Sequence, residues 1–169
     1  MFILDTDVLS NLRKTKKHPL VRSWIERTGW QDLSTTVVTV AEIQCGIERQ
    51  KPSDPDYARI TQAWLDGLLE AGEPQVAPLG VKAALLLARM HETPARRNFV
   101  APSPKQKKPT TVADLAIAAI AIIEGAVVAT GNHDHFEIID GWFPLPGLYN
   151  PFEDAWVRKP GAPAAGHRL

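Results

Sequence analysis

Four short apolar runs, separated by helical stretches, constrain this chain more than any other feature. "MFIL" opens it, "LSTTVVT" begins at Leu33, "QVAPL" at Gln75 and "AVVAT" at Ala126. Each is too brief for a core helix, and none alternates apolar with polar residues as a half-exposed strand does. They read as strands buried on both faces, which are characteristic of parallel sheets covered by helices.

The stretches between them carry helical signals. "TDVLSNLRK" follows the first strand with Thr6 or Asp7 available as N-cap. "VAEIQCGIERQ" places Val40, Ile43 and Ile47 on one face. "KPSDPDYARITQAWLDGLLEAG" has Asp54 to cap and Pro55 at the first helical position. Tyr57, Ile60, Trp64 and Leu68 form its apolar stripe, and Gly72 ends it. "GVKAALLLARMHE" is Ala/Leu-rich, and "TVADLAIAAIAIIEG" is apolar almost all round, as a helix in the middle of a fold must be. "GNHDHFEIID" reads as a loop and "WFPLPGLY" as the place of one last strand. The alternation of strand and helix predicts an α/β three-layer sandwich with a central parallel sheet.

Totals narrow the function classes. Nineteen basic and nineteen acidic residues cancel, so any polyanion must be held by local patches and not by net charge. The single cysteine, Cys45, excludes an intrachain disulfide and fits a reducing, cytoplasmic setting; it reads as a small packing residue. The first apolar run is cut by Asp5 and "LAIAAIAII" is far shorter than the ~20 residues that span a bilayer, so neither a signal peptide nor a membrane span is expected.

The acids carry the chemistry. Asp5 ends the first strand, Glu42 lies in the first turn of the helix after the second, Asp114 in the first turn of the apolar helix, and Asp134 just past "VVAT". In a parallel sheet these places share the carboxyl edge, where ligands bind. Carboxylates crowded there repel unless a hard divalent cation such as Mg²⁺ or Mn²⁺ compensates them. Each acid alone also reads as a helix cap: "TVAE" (Thr39 to Glu42) and "TVAD" (Thr111 to Asp114) have capping-box form, and Asp5 can cap the helix after it. "FILDTDVL" equally matches the first motif of haloacid-dehalogenase-type phosphatases, with Asp5 as nucleophile and Asp7 as general acid. The paired late acids of that fold have no counterpart here. Two histidines flank Asp134, but no third donor stands at zinc-like spacing.

"FILDTDVLS", "TVAEIQCGIE", "TVADLAIAAIAIIEGAVVATGNHDHFEIIDG" and "LYNPF" together resemble the PIN-domain ribonuclease toxins of bacterial VapBC toxin–antitoxin modules. The resemblance runs from Met1 to Phe152. It implies a PIN domain over residues 1–152, interrupted by a basic, proline-rich loop at about 94–110, with 153–169 an extended or disordered tail. It implies Mg²⁺- or Mn²⁺-dependent endonucleolytic cleavage of RNA by an activated water, inhibition by a VapB-like antitoxin, and homodimers. Residue by residue, the family's acids fall on Asp5, Glu42 and Asp114, with Asp5, Asp114 and Glu42 as metal ligands. Thr130 and Asn132 match the supporting polar pair. The family's fourth acid precedes the phenylalanine; here His135 stands there and the acid is displaced to Asp134. Apart from the resemblance, phosphate contacts are expected from three basic clusters: "RKTKK" at Arg13 to Lys17, Arg96 with Arg97, and Lys105, Lys107 and Lys108, the last favoured because its loop leads into the helix bearing Asp114. A domain that keeps the shape but only binds RNA is the competing class, and three acids in family positions argue against it.

Overall fold

The computed structural model describes residues 1–14, 16, 18–93 and 112–162. Among the described residues, thirteen elements of strand and α-helix follow one another: β1 (Phe2–Leu4), α1 (Thr6–Arg13), α2 (Pro19–Thr28), β2 (Leu33–Thr36), α3 (Val37–Gln50), α4 (Pro55–Ala71), β3 (Gln75–Ala77), α5 (Val81–Glu92), α6 (Val112–Glu124), β4 (Val127–Ala129), α7 (His133–Asp140), β5 (Leu148–Asn150) and β6 (Ala155–Arg158). The strands form one six-stranded sheet in the order β3-β2-β1-β4-β5-β6. The first five are parallel to their neighbours, with Leu4 beside Ala129 and Ile3 beside both Ser34 and Val128; β6 alone runs antiparallel, against β5.

Successive strand residues point to opposite faces, and two cores result. Ile3 and Val128 join Met90 of α5, Ile117 and Ile120 of α6, and Phe136 and Ile139 of α7. Leu4, Val127 and Ala129 join Val8 and Leu9 of α1, Trp24 and Ile25 of α2, Ile43 and Ile47 of α3, and Leu65 of α4. The three-layer α/β/α sandwich expected from the sequence is the fold observed. α6, buried from Asp114 to Ala121, is the central helix that its all-apolar surface requires. The Asp54 cap and the Gly72 stop of α4 also stand as read: Asp54 Oδ1 accepts from Tyr57 N at 3.0 Å, and Gly72 takes the left-handed conformation at φ 68°.

Several local readings are corrected. α2 has no counterpart in the sequence reading, although Pro19 at its first position and Val21, Trp24 and Ile25 on its buried side mark it. β2 stops at Thr36, whose Oγ1 accepts from Thr39 N at 3.0 Å; Thr36 is therefore the N-cap of α3, and Thr39 to Glu42 is not a capping box. Glu42 consequently lies in the second turn. Asp5, not Thr6 or Asp7, caps α1. The stretch read as a loop after β4 is α7, wound because Phe136 and Ile139 at i, i+3 are both fully buried. In α4, Tyr57 and Ile60 are exposed, and Ala58, Thr61 and Leu65 take the buried side.

The sheet continues past Phe152, where the reading placed a tail. β6 pairs with β5 after a turn in which Asp154 takes a positive φ of 53°, held by the Tyr149 hydroxyl and by Arg27 at 2.7 Å. Arg158 of β6 forms a buried ion pair with Asp140 at 3.0 Å. Residues 163–169, the loop at 94–110 and Thr111 of the second proposed capping box lie outside the described residues.

A carboxylate cleft at the sheet edge

Because β1, β2 and β4 are parallel, their carboxyl ends open on one side, and the helices that leave them begin there. Asp5 emerges from β1 and is 5% exposed. Its Oδ1 accepts from Thr6 N at 2.6 Å and its Oδ2 from the Thr130 hydroxyl at 2.7 Å. Thr130 is fixed in turn, since its Oγ1 accepts from Asn132 N at 2.9 Å. Both residues of the expected polar pair thus act on Asp5, Thr130 directly and Asn132 through it. The Thr6 hydroxyl donates to Glu42 Oε2, which ties α3 to the start of α1.

Asp114 is buried at the start of α6, with Oδ2 3.1 Å from His135 Nδ1. That nitrogen is also 2.8 Å from Asn132 Nδ2. The tautomer protonated at Nδ1 donates to Asp114; the other accepts from Asn132. His135 is 5% exposed, so the residue standing where the sequence comparison expects an acid is inside the cleft. Asp134 points elsewhere. Its side chain is 43% exposed, and it groups with His133 and Glu137, ligand atoms of the three lying within 4.8 Å of one another on α7. This second cluster is a surface feature apart from Asp5 and Asp114.

Asp7 belongs to the cleft, and sequence reasoning missed it by giving it only a helix-cap or a phosphatase role. Its Oδ2 accepts from Gly131 N at 2.8 Å, while its Oδ1 is buried with no hydrogen-bond partner. The two acids of "DTD" feel each other: burial, then the negative charge of Asp7, pushes the Asp5 carboxyl up to about 8, with a smaller contribution from Asp114. Burial raises Asp7 as well, and Asp114 adds to it. Three carboxylates from two distant segments therefore share one field. No three of these cleft acids close to within the 4.8 Å spacing of the surface cluster, as expected of like charges in a low-dielectric cleft.

The donor set fits a hard divalent cation. It consists of carboxylate oxygens with one imidazole nitrogen at the margin, and the partnerless Asp7 Oδ1 is a buried acceptor that a cation would satisfy. Asp5, Asp7 and Asp114 are the carboxylates that share this field, and Glu42 is tied to it through Thr6.

Gly131 keeps this arrangement tight. A Cβ there would lie 2.7 Å from Phe152 Cδ2 and 2.8 Å from Asp7 Oδ2. Gly131→Ala is expected to cost about 1–3 kcal/mol through overpacking and to weaken divalent-cation binding by displacing Asp7. Urea melts and a Mn²⁺ titration check this; unchanged values in both would mean that Phe152 and Asp7 move aside freely.

A mostly parallel sheet between two helical layers, with buried acids from separate segments at its carboxyl edge, defines a class of α/β domains with an acidic cleft. The PIN-domain model matches residues 2–141, and the chain belongs to the PIN-domain family. The VapC ribonuclease Y4jK of Sinorhizobium fredii (strain NBRC 101917 / NGR234) is 30% identical over 150 residues, covering 85% of this chain and 99% of that protein. A shorter match, 31% identical over 65 residues, links it to Ribonuclease VapC14 of Mycobacterium tuberculosis (strain CDC 1551 / Oshkosh) and spans 38% of this chain and 63% of that one. Among solved structures, FitAB bound to an IR36 DNA fragment contains a chain that superposes with a TM-score of 0.62 at 25% identity, covering 90% of this chain and 96% of that one. VapBC-5 of Mycobacterium tuberculosis, a member of the VapBC family of toxin–antitoxin systems, gives a TM-score of 0.57 at 23% identity, covering 88% and 94%, and shares the fold. No helix among the described residues is long and apolar enough to cross a membrane.

Proposed function

We propose that this chain is the endoribonuclease toxin of a VapBC-type module, cleaving RNA with Mg²⁺ or Mn²⁺ in the cleft of Asp5, Asp7, Glu42 and Asp114. The observation that carries the reading is the convergence of these acids at one sheet edge, with an acceptor left unsatisfied among them. The 30% identity to a VapC ribonuclease over most of both chains supports it.

A divalent cation held there supplies the Lewis acidity that makes water a nucleophile near neutral pH and offsets charge on the phosphate. The chain's own residues do the rest. Thr130 and the Thr6 N–H orient the two oxygens of Asp5. His135 Nδ1, 3.1 Å from Asp114 Oδ2, fixes that carboxylate. Glu42, held by the Thr6 hydroxyl, is placed to take a proton from the attacking water. Asp134, on the exposed face of α7, has no part in this arrangement and is left out of the ligand set. We assign Arg96, Arg97, Lys105, Lys107 and Lys108 to the RNA track on charge alone.

The partners follow from the same reading. A VapB-like antitoxin would silence the cleft by placing a cationic side chain among the carboxylates, through charge-assisted hydrogen bonds. Exposed Val81 and Leu85, four residues apart on α5, support a homodimer surface. The test is direct. With Mn²⁺ the purified protein is expected to cut single-stranded or looped RNA, to lose this in EDTA, and to leave a generic phosphate monoester intact. Monoester turnover without RNA scission would overturn the assignment.

A further inference from the structure

Beside the carboxylate cleft, between α1, α3 and α4, lies a cavity of about 270 Å³ lined by Thr6, Ser10, Arg13, Glu42, Tyr57 and Thr61 among others. Thr6, Ser10 and Arg13 stand at i, i+4 and i+7, one face of α1. Thr6 joins the two spaces, since its N–H binds Asp5 and its hydroxyl binds Glu42.

Arg13 is the unusual member. Its guanidinium lies over the Tyr57 ring at 4.7 Å from the centroid. Nη1 donates to Thr61 Oγ1 at 3.1 Å and Nη2 to the Tyr57 hydroxyl. Thr61 is itself anchored, its hydroxyl donating to Tyr57 O at 2.9 Å. Every one of these partners is neutral. Among the described residues Arg13 makes no ion pair within 4.0 Å, even though Glu42 lines the same cavity. The side chain is thus held by neutral partners with N–H donors to spare, an arrangement in which a guanidinium can bind an anion.

The neighbourhood selects the anion. A free phosphate entering here would meet the field of the cleft carboxylates. A phosphate tethered to a second one, itself neutralised at the cation site, would not. Seven helical residues at ~1.5 Å each separate Arg13 from Thr6 along the axis, and helix side chains lean back toward the N-terminus. That reach suits the next link of a chain whose scissile phosphate sits at Asp5.

We propose that Arg13, clamped by Tyr57 and Thr61, binds the RNA backbone phosphate adjoining the scissile one, and that the cavity receives the nucleotide attached to it. The proposal rests on the ribonuclease reading above. The test measures binding of a single-stranded RNA oligonucleotide to the full chain, silenced by Asp114→Asn, at several salt concentrations, with Arg13→Met and Arg13→Lys added in turn. Thermal melts verify folding, and Mn²⁺ affinity is read by electron paramagnetic resonance in the Asp114-intact proteins.

Arg13→Met is expected to weaken RNA binding about tenfold and to lower the slope of log K against log[salt] by ~0.7, the share of one phosphate on a single strand. Arg13→Lys is expected to keep the slope but recover only part of the affinity, because an ammonium lacks the planar fork. Mn²⁺ affinity stays unchanged in both. Equal slopes in the parent and Arg13→Met proteins would overturn the proposal, as would an altered Mn²⁺ affinity with an unaltered slope, which would make Arg13 a countercharge to the acids. If Arg13→Met fails to fold, an Arg13→Lys protein binding RNA as tightly as its parent overturns it equally. Absence of RNA binding by the silenced parent itself would bring down the ribonuclease reading, a result distinguishable from the loss of Arg13 alone.

Discussion

Asp5→Asn and Asp114→Asn are each expected to cut RNA cleavage by roughly 10²–10³-fold or more, the range for removing one preorganised electrostatic group, with both proteins remaining folded. Asn at position 5 keeps the shape and the capping oxygen of Asp, since the two residues cap helices equally well. What it removes is a carboxyl that burial, and then the charge of Asp7, make costly to ionise in the cation-free cleft. Stability of the cation-free protein is therefore unchanged or higher. Gel assays of RNA cleavage beside urea melts separate the two effects. A variant that folds and cleaves at the parent rate would return that residue to the status of a helix cap.

The second large effect is the pH dependence of the cation-free protein. Asp5, buried and facing Asp7, titrates at about 8 in the fold against an ordinary value of 3.8. Between these limits the folded state binds a proton that the unfolded chain has released. The associated stability is complete below the unfolded value and is lost as pH rises through about 8. At ~1.36 kcal/mol per unit, the loss amounts to several kcal/mol, and Asp7, also raised, adds to it in the same direction. In EDTA the melting temperature should fall steadily from pH 5 to pH 9, a range set by the Asp5 shift. Saturating Mn²⁺ should reverse the fall, because binding displaces the proton and apparent affinity then rises with pH. Asp5→Asn should flatten the profile. A melting temperature independent of pH in the parent would show that the cleft acids are already relieved by solvent.

The sandwich was legible because its signals are long-range averages. Strand runs without alternation, and a helix apolar on all sides, leave few arrangements that bury everything. Asp5 and Asp114 were legible for a topological reason: parallel strands send every strand end to one edge. What escaped notice depended on contacts that no local pattern encodes. Thr36 and Thr39 are both plausible caps in sequence, and only the place where β2 leaves the sheet decides between them. Asp134 and His135 are adjacent in sequence, yet the winding of α7 turns one outward and the other into the cleft. With "GNHDHFEIID" taken as a loop, that choice could not be made. Asp7 was misjudged because its place depends on Gly131, 124 positions away.

The strand order also dictates when the acidic cleft can come together during synthesis. β1 precedes the other described elements along the chain, yet one of its two partners in the sheet is β4, which is completed only at Ala129. Thr130, which holds Asp5, emerges later still, and Gly131, which holds Asp7, follows it. A nascent or prematurely terminated chain carries Asp5 and Glu42 but no means of setting them opposite Asp114. The cleft is in this sense assembled late: a chain that stops before β4 has neither the strand that pairs with β1 on that side nor the Thr130 and Gly131 that hold Asp5 and Asp7.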